Sequence, residues 1–197
     1  ALPIWMTEKL TRDMIATAGV IAGETGAFWT DQMKNRDQLC AYEAMAAEIW
    51  EQTESRIDGF VQSVGTAASL LGVAAGLRSR NETIRIAAVE PAESPVLSGG
   101  PPGAHKIDGI GAGFVVPLWQ GDTADAIERV STEEARAMAL RLAREEGLFA
   151  GLSTGANVTA ALRLAASLKP DATIVSVMCD TGMKSFGSYR AAPAAQA

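Results

Sequence analysis

The residues best suited to chemistry lie in Asp58-Gly-Phe-Val-Gln-Ser-Val-Gly-Thr-Ala-Ala-Ser69, where an apolar strand pattern runs into a small-residue turn and then a helical pattern. The first backbone N–H groups of a helix have no acceptors inside the helix, and the macrodipole adds partial positive charge there, so such a turn suits an anion. Gly65 permits close backbone approach, Thr66 and Ser69 offer hydroxyl donors, and Ala67 and Ala68 are small enough to leave room for phosphate oxygens. The same residues would also make a tight strand-to-helix connection that binds nothing, and the turn by itself leaves both readings open.

The turn needs elements to position it. Strand patterns at Ile57 to Val64 and Ile84 to Val89 flank a helical pattern from Ala67 to Arg78, with Leu70, Leu71, Ala74 and Leu77 on one face. That order is a βαβ unit, whose parallel strands take a right-handed crossover. Upstream, a helix from Thr7 to Ala18 is expected to stop at Gly19. A loop from Glu24 to Asn35 and a helix at about Ala41 to Gln52 should follow. Downstream, the irregular stretch from Glu90 to Val116 contains four prolines and reads as a functional loop. Ser131-Thr-Glu-Glu134 is a capping box; Ala135, Met138, Ala139 and Leu142 form the buried stripe behind it, and Gly147 stops the helix. Phe149 to Ala156 reads as a second strand-to-helix turn, leading into a helix that ends before Pro170. Thr173 to Met178 reads as a central parallel strand emptying into Cys179-Asp-Thr-Gly182. Ligands of open α/β sheets bind at the C-terminal ends of strands, where these turns converge. The expected fold is therefore α/β, a Rossmann-like parallel sheet with helices on both faces, followed by a disordered tail at 191–197.

Composition narrows the partners. The chain has 197 residues, 48% of them hydrophobic, with a net charge of −6 and scattered Lys and Arg, which argues against a nucleic-acid surface. Cys40 and Cys179 are far apart, which excludes a cysteine-based zinc site and fits a reducing, cytoplasmic setting. No apolar run reaches membrane-spanning length, and Ala1 to Met6 is too short for a signal-peptide core. The start at Ala1 fits either a removed initiator Met or a piece of a longer protein.

Val89-Glu-Pro-Ala-Glu-Ser-Pro-Val-Leu-Ser98, followed by Pro102-Gly-Ala-His-Lys-Ile-Asp-Gly-Ile-Gly-Ala-Gly-Phe114, strongly resembles the cysteine synthase (O-acetylserine sulfhydrylase) family of fold-type II pyridoxal-phosphate enzymes. The resemblance extends through Glu145 to Ala156 and Asp180-Thr-Gly-Met-Lys184, reaches back to Glu48-Ile-Trp50, and has a weaker echo in Met6 to Val20. It implies a large domain at 31–190 that cradles pyridoxal 5′-phosphate, as in the tryptophan synthase beta-like fold, and a remnant of the small domain at 1–30. Gly65, Thr66, Ala67, Ala68 and Ser69 fall on the family's phosphate cup; Ala68 stands where glycine is usual and Ser69 replaces a threonine. Ser153 matches the serine that hydrogen-bonds the pyridine nitrogen, although helix N-capping is an alternative role for it. Gly109 matches a glycine facing the substrate cleft, and His105 is expected to be structural.

The family's Schiff-base lysine sits in a Ser-x-Lys-Asp-Arg-type motif, followed by a Thr-Ser-Gly-Asn-type loop that grips the substrate carboxylate. Neither motif occurs here. None of the five lysines has a comparable setting, so no catalytic residue is assigned, and Lys106, on the cleft-side loop, is the first candidate to take the missing role. Two readings follow from the resemblance. One is an incomplete β-replacement protein making cysteine from an activated serine when complemented, with an amino-acid substrate and a homodimer or complementary chain as partner. The other is a pseudoenzyme or binding module. A nicotinamide dehydrogenase would need a different glycine pattern, although Glu90 does end the second strand as a ribose-binding acid would.

Overall fold

The computed structural model describes residues 8–184 and 186–189. The expectations for the first seven residues and for the tail at 191–197 lie outside the described residues.

Among the described residues, four strands form one wholly parallel sheet: β1 (Gly59–Ser63), β2 (Arg85–Pro91), β3 (Ala126–Val130) and β4 (Ile174–Ser176), in the order β3-β2-β1-β4. Register pairs Phe60 with Ile86 and Val61 with Ala87. Every residue of β1 is buried because both faces of the sheet are covered. Side chains alternate between those faces. Phe60, Ile86 and Ala88 pack with α2 (Leu39–Gln52) and α3 (Ala68–Arg78), whereas Val61, Ala87, Val89 and Val130 pack with α4 (Thr132–Glu145) and α5 (Leu152–Ala165). This is the expected α/β architecture with helices on both faces. A Cβ on Gly72 would lie 2.5 Å from the Cβ of Tyr42, and one on Gly76 the same distance from the Cβ of Ala46, so glycine is what lets α3 lie this close to α2.

From β1 the chain steps to β2 and then β3 on one side, while β4 returns to the other side of β1. The loops leaving β1 and β4 therefore part at their C-terminal ends and open a crevice. At the opposite end, the Asp58 carboxylate accepts hydrogen bonds from the Thr173 N–H and from Lys169 Nζ, each at 2.9 Å, and so pins the start of β4 to β1. The Lys169 hydrogen bond, then the Thr173 N–H, hold the Asp58 carboxyl below its usual range against the opposing effect of burial.

Four local expectations are corrected. α1 runs from Glu8 to Thr25, straight through Gly19, whose missing side chain accommodates the Trp29 ring; Gly26, at φ +66°, ends the helix instead. β3 is an additional strand, hidden in the sequence because Glu128 and Arg129 break its apolar alternation on a half-exposed edge. No strand leads directly into α5: Ala150 makes only a single antiparallel bridge to Thr181. β4 is three half-buried residues at the edge of the sheet rather than a central strand. The capping box forms as read, with Ser131 Oγ accepting from the Glu134 N–H at 3.2 Å and Glu134 accepting from the Ser131 N–H at 2.9 Å.

Candidate functional site

The crevice between β1 and β4 is a cleft of about 520 Å³. Its floor begins with Gln62 and Ser63, the last residues of β1, only 6% and 4% exposed. Asn157, fully buried on α5, fixes their backbone: its Oδ1 accepts from the Ser63 N–H at 2.7 Å while its Nδ2 donates to the Val177 carbonyl at 3.2 Å. Gln62 Nε2 reaches Cys179 Sγ at 3.7 Å. Gln62 Oε1, Ser63 Oγ and Asp180 Oδ1 are buried without a hydrogen-bond partner, and all three residues line the cleft. Buried polar atoms are normally satisfied, so the orphaned oxygens of Gln62 and Ser63 suit a ligand with polar edges, whereas Asp180 Oδ1 is packed against Gly151.

The turn after β1 forms the next wall. A Cβ on Gly65 would lie 2.5 Å from the Gly109 carbonyl oxygen, and the Gly111 N–H donates to the Val64 carbonyl at 3.1 Å, so the turn and the 106–111 loop touch. His105 holds that loop from beneath. Its Nδ1 accepts from the Ile107 N–H at 3.3 Å, which leaves the Nε2 proton to bond the Gly111 carbonyl at 2.9 Å. His105 is buried, does not line the cleft, and has the structural place expected of it.

Ala67 is the N-cap residue of α3 and lies in the left-handed region, φ +74° and ψ −10°. It has no side-chain acceptor, so no side chain on the cap residue satisfies the first turn of α3. Thr66 Oγ1 accepts from the Ala68 N–H at 3.3 Å. Gly65, Thr66 and Ser69 line the cleft, whereas Ala67 and Ala68 are buried and do not. From the other side, α5 brings Ser153 to the same cleft, 5% exposed. The N-cap of α5 is Gly151 and Ser153 is the second residue of the helix, so the capping alternative for Ser153 falls away. Gly109, at φ +81°, also lines the cleft.

Cys179 and Asp180 lie on the 179–182 turn expected to converge there, whereas several lining residues were not singled out from sequence: Gln62, and Met14 and Ile15 from α1. A polar Gln-Ser pair closing a buried strand was the available signal for the first. α1 is held to the loop below it by Arg12, whose guanidinium sits 4.3 Å from the centroid of the Phe114 ring. Lys184 lines the cleft and Lys106 does not, which overturns the choice of Lys106. Glu90 is also removed as a ribose ligand. Its buried carboxylate is consumed by the N–H groups of Leu97 and Ser98 at 2.7 and 3.1 Å and by Ser98 Oγ at 2.5 Å, so the dehydrogenase reading loses its acid.

The cleft thus offers, on one side, a helix start whose cap residue has no side-chain acceptor, flanked by the hydroxyls of Thr66 and Ser69, and on the other Ser153. That donor set fits a phosphorylated polar ring such as pyridoxal 5′-phosphate. Among the described residues, no group of His, Cys, Asp and Glu is arranged to hold a metal, and no helix is long and apolar enough to cross a membrane.

Comparison with known proteins agrees with this geometry. Residues 4–180 match the family described as pyridoxal-phosphate dependent enzyme. A cysteine synthase of Staphylococcus aureus is 38% identical over 170 residues, which are 85% of this chain and 55% of that protein. The crystal structure of O-acetyl serine sulfhydrylase isoform 3 from Entamoeba histolytica superposes with a TM-score of 0.86 at 34% identity, covering 92% of this chain and 56% of that one. The O-acetylserine dependent cystathionine beta-synthase from Helicobacter pylori gives 0.76 at 33% identity, covering 80% and 52%. The chain therefore spans about half the length of the relatives it matches, 55% of the S. aureus protein. With the family model matching residues 4–180 and cysteine synthase relatives at 38% identity, the chain belongs to the pyridoxal-phosphate dependent enzyme family, among cysteine synthase-like proteins.

Proposed function

We propose that this chain is the cofactor-cradling part of a β-replacement protein of the cysteine synthase type, which would convert O-acetylserine and sulfide to cysteine when complemented. The observation that carries the reading is the meeting of Gly65, Thr66 and Ser69 with Ser153 across one cleft. Gly65, Thr66 and Ser69, with the open first turn of α3, would take the phosphate through N–H and O–H donors. Ser153 would bond the ring nitrogen as a neutral partner, and Gln62 and Ser63 would meet the remaining polar edges of the ring. When bound, pyridoxal phosphate supplies an electron sink for chemistry at an amino-acid substrate. Gly109 lies on the substrate side of the cup, where its lack of a side chain keeps the cleft open.

Residues 1–30 are assigned as the remnant of a small domain and 31–190 as the cradle. A second copy or a complementary chain would be the partner. The two exposed free cysteines suit a reducing, cytoplasmic setting. A non-catalytic binding module descended from the family is the second reading. Turnover by the purified chain tests the first reading's requirement for complementation. With pyridoxal phosphate, O-acetylserine and sulfide, cysteine should form no faster than with cofactor alone, and faster formation would show that no second chain is needed.

A further inference from the structure

Cys179 lies just beyond β4, is exposed, and lines the cleft. Its turn is fastened to the start of α5. The Cys179 N–H donates to Thr154 Oγ1 at 3.2 Å, the Gly151 N–H to the Asp180 carbonyl at 3.1 Å, and the Gly182 N–H to the Phe149 carbonyl at 2.9 Å. Two side-chain amides then meet the sulfur. Gln62 Nε2 from β1 and Asn157 Nδ2 from α5 each donate to Sγ at 3.7 Å, and Sγ donates to the Val177 carbonyl at 3.5 Å. The other exposed cysteine, Cys40, sits on α2 away from the cleft, its sulfur donating to the Asp37 carbonyl at 2.9 Å.

Gln62 adds an acceptor beside that thiol. The residue is 6% exposed, and its Oε1 is buried with no hydrogen-bond partner among the described residues, yet it belongs to the same amide whose nitrogen meets Sγ. Such an oxygen has given up water without a replacement, so a donor brought in by a ligand stabilises it. An amide oxygen only accepts, which requires an N–H or O–H on the ligand, and a charged N–H makes the stronger bond. Ser63 Oγ, on a residue 4% exposed and likewise without a partner, is the next polar atom along β1. The nearest charges are the Asp180 carboxylate and Lys184 Nζ, 3.9 Å apart, which offset one another.

We infer that Cys179 is a covalent site for small disulfides that carry an ammonium group near the sulfur, held as a mixed disulfide with the ammonium on Gln62 Oε1. The Cys179 thiol gives its proton to water, and the sulfur attacks one sulfur of the small disulfide. A new S–S bond forms as the old one breaks, and the departing sulfur leaves as a thiolate that takes up a proton. Cys179 is oxidised and the departing thiol is reduced, so the disulfide itself is the oxidant. The amide N–H groups of Gln62 and Asn157 face the sulfur on which negative charge builds during the exchange. Because the exchange reverses with a small thiol, occupation follows the thiol-to-disulfide ratio around the protein. An adduct there takes the floor of the cleft from any other ligand, and the site needs no cofactor.

The test equilibrates the full chain with cystamine and cysteamine, and separately with diethyl disulfide and ethanethiol, at one fixed ratio of disulfide to thiol. The two pairs share a carbon chain and differ in the ammonium group. Acid quenching and peptide mass spectrometry then give the mixed disulfide at each cysteine. Cys40 is the internal reference, since it shares the intrinsic stability of each disulfide and the net charge of −6. The preference for the ammonium disulfide should be at least about fivefold greater at Cys179 than at Cys40, the value of one hydrogen bond. Gln62→Met, similar in length but without the amide, should bring the two preferences together. Equal preference at both cysteines of the parent, or no adduct at Cys179, overturns the inference. A preference that survives in Gln62→Met belongs to the Asp180 carboxylate and overturns the part given to Gln62. Should Gln62→Met fail to fold, the parent comparison decides by itself.

Discussion

Ala67 stands where the backbone asks for glycine. At φ +74° its Cβ crowds the neighbouring carbonyl, a cost of about 1–2 kcal/mol, and the residue sits between β1 and α3, which flank the proposed phosphate cup. Sequence attaches the extra methyl of concern to Ala68, but Ala68 has begun the helix and is buried; the strained position is one residue earlier. Ala67→Gly should therefore stabilise the chain by about 0.5–1 kcal/mol in urea unfolding, the relief of strain exceeding the added entropy of the unfolded chain. No change, or a loss of stability, would mean that the turn relaxes around the methyl. At this scale the sequence was legible where residue type decides chemistry, as for the hydroxyls of Thr66, Ser69 and Ser153. It was silent on direction. Gln62 and Lys184 reach the cleft because of where β1 ends and how 179–184 is tied to α5, which no local spacing encodes.

At the scale of elements, the sheet is held at its two ends by different means. Asn157 joins β1 to the segment after β4 beside the cleft, and Asp58 joins β1 to the start of β4 at the opposite end. The folded state lowers the Asp58 pKa, so its contribution is complete above the unfolded aspartate value and disappears as pH falls through the folded one. Asp58→Asn should be less stable than the parent at neutral pH, and the difference should shrink as pH drops below about 4. Thermal or urea unfolding across that range measures it, and a pH-independent difference would assign the effect to packing instead. The elements most legible in sequence were those with strong local signals, such as the capping box of α4 and the strand-turn-helix of β1 and α3. β3 was hidden by Glu128 and Arg129, and β4 was read as longer and more central because its β-branched residues imply burial that the described sheet edge does not give them.

For the whole molecule, several large apolar side chains stand open to solvent, among them Phe28 at 88%, Met183 at 67% and Met14 at 59% exposed. Met14 and Met183 flank the cleft region through α1 and the 180–184 turn, and exposed apolar surface of this kind favours association. The purified chain should elute at increasing apparent mass as its concentration rises in size-exclusion chromatography; a constant monomeric mass would contradict this. The central claim is that the cup and Ser153 hold one phosphorylated ring between them. Calorimetric titration with pyridoxine 5′-phosphate, on the parent chain and on Thr66→Val and Ser153→Ala, tests it most directly, with unphosphorylated pyridoxine as the reference ligand. Each lost hydrogen bond should cost about 1 kcal/mol of binding, roughly a fivefold rise in Kd, and removing the phosphate should weaken binding further. Equal affinity of all three proteins, or of the two ligands, would contradict it.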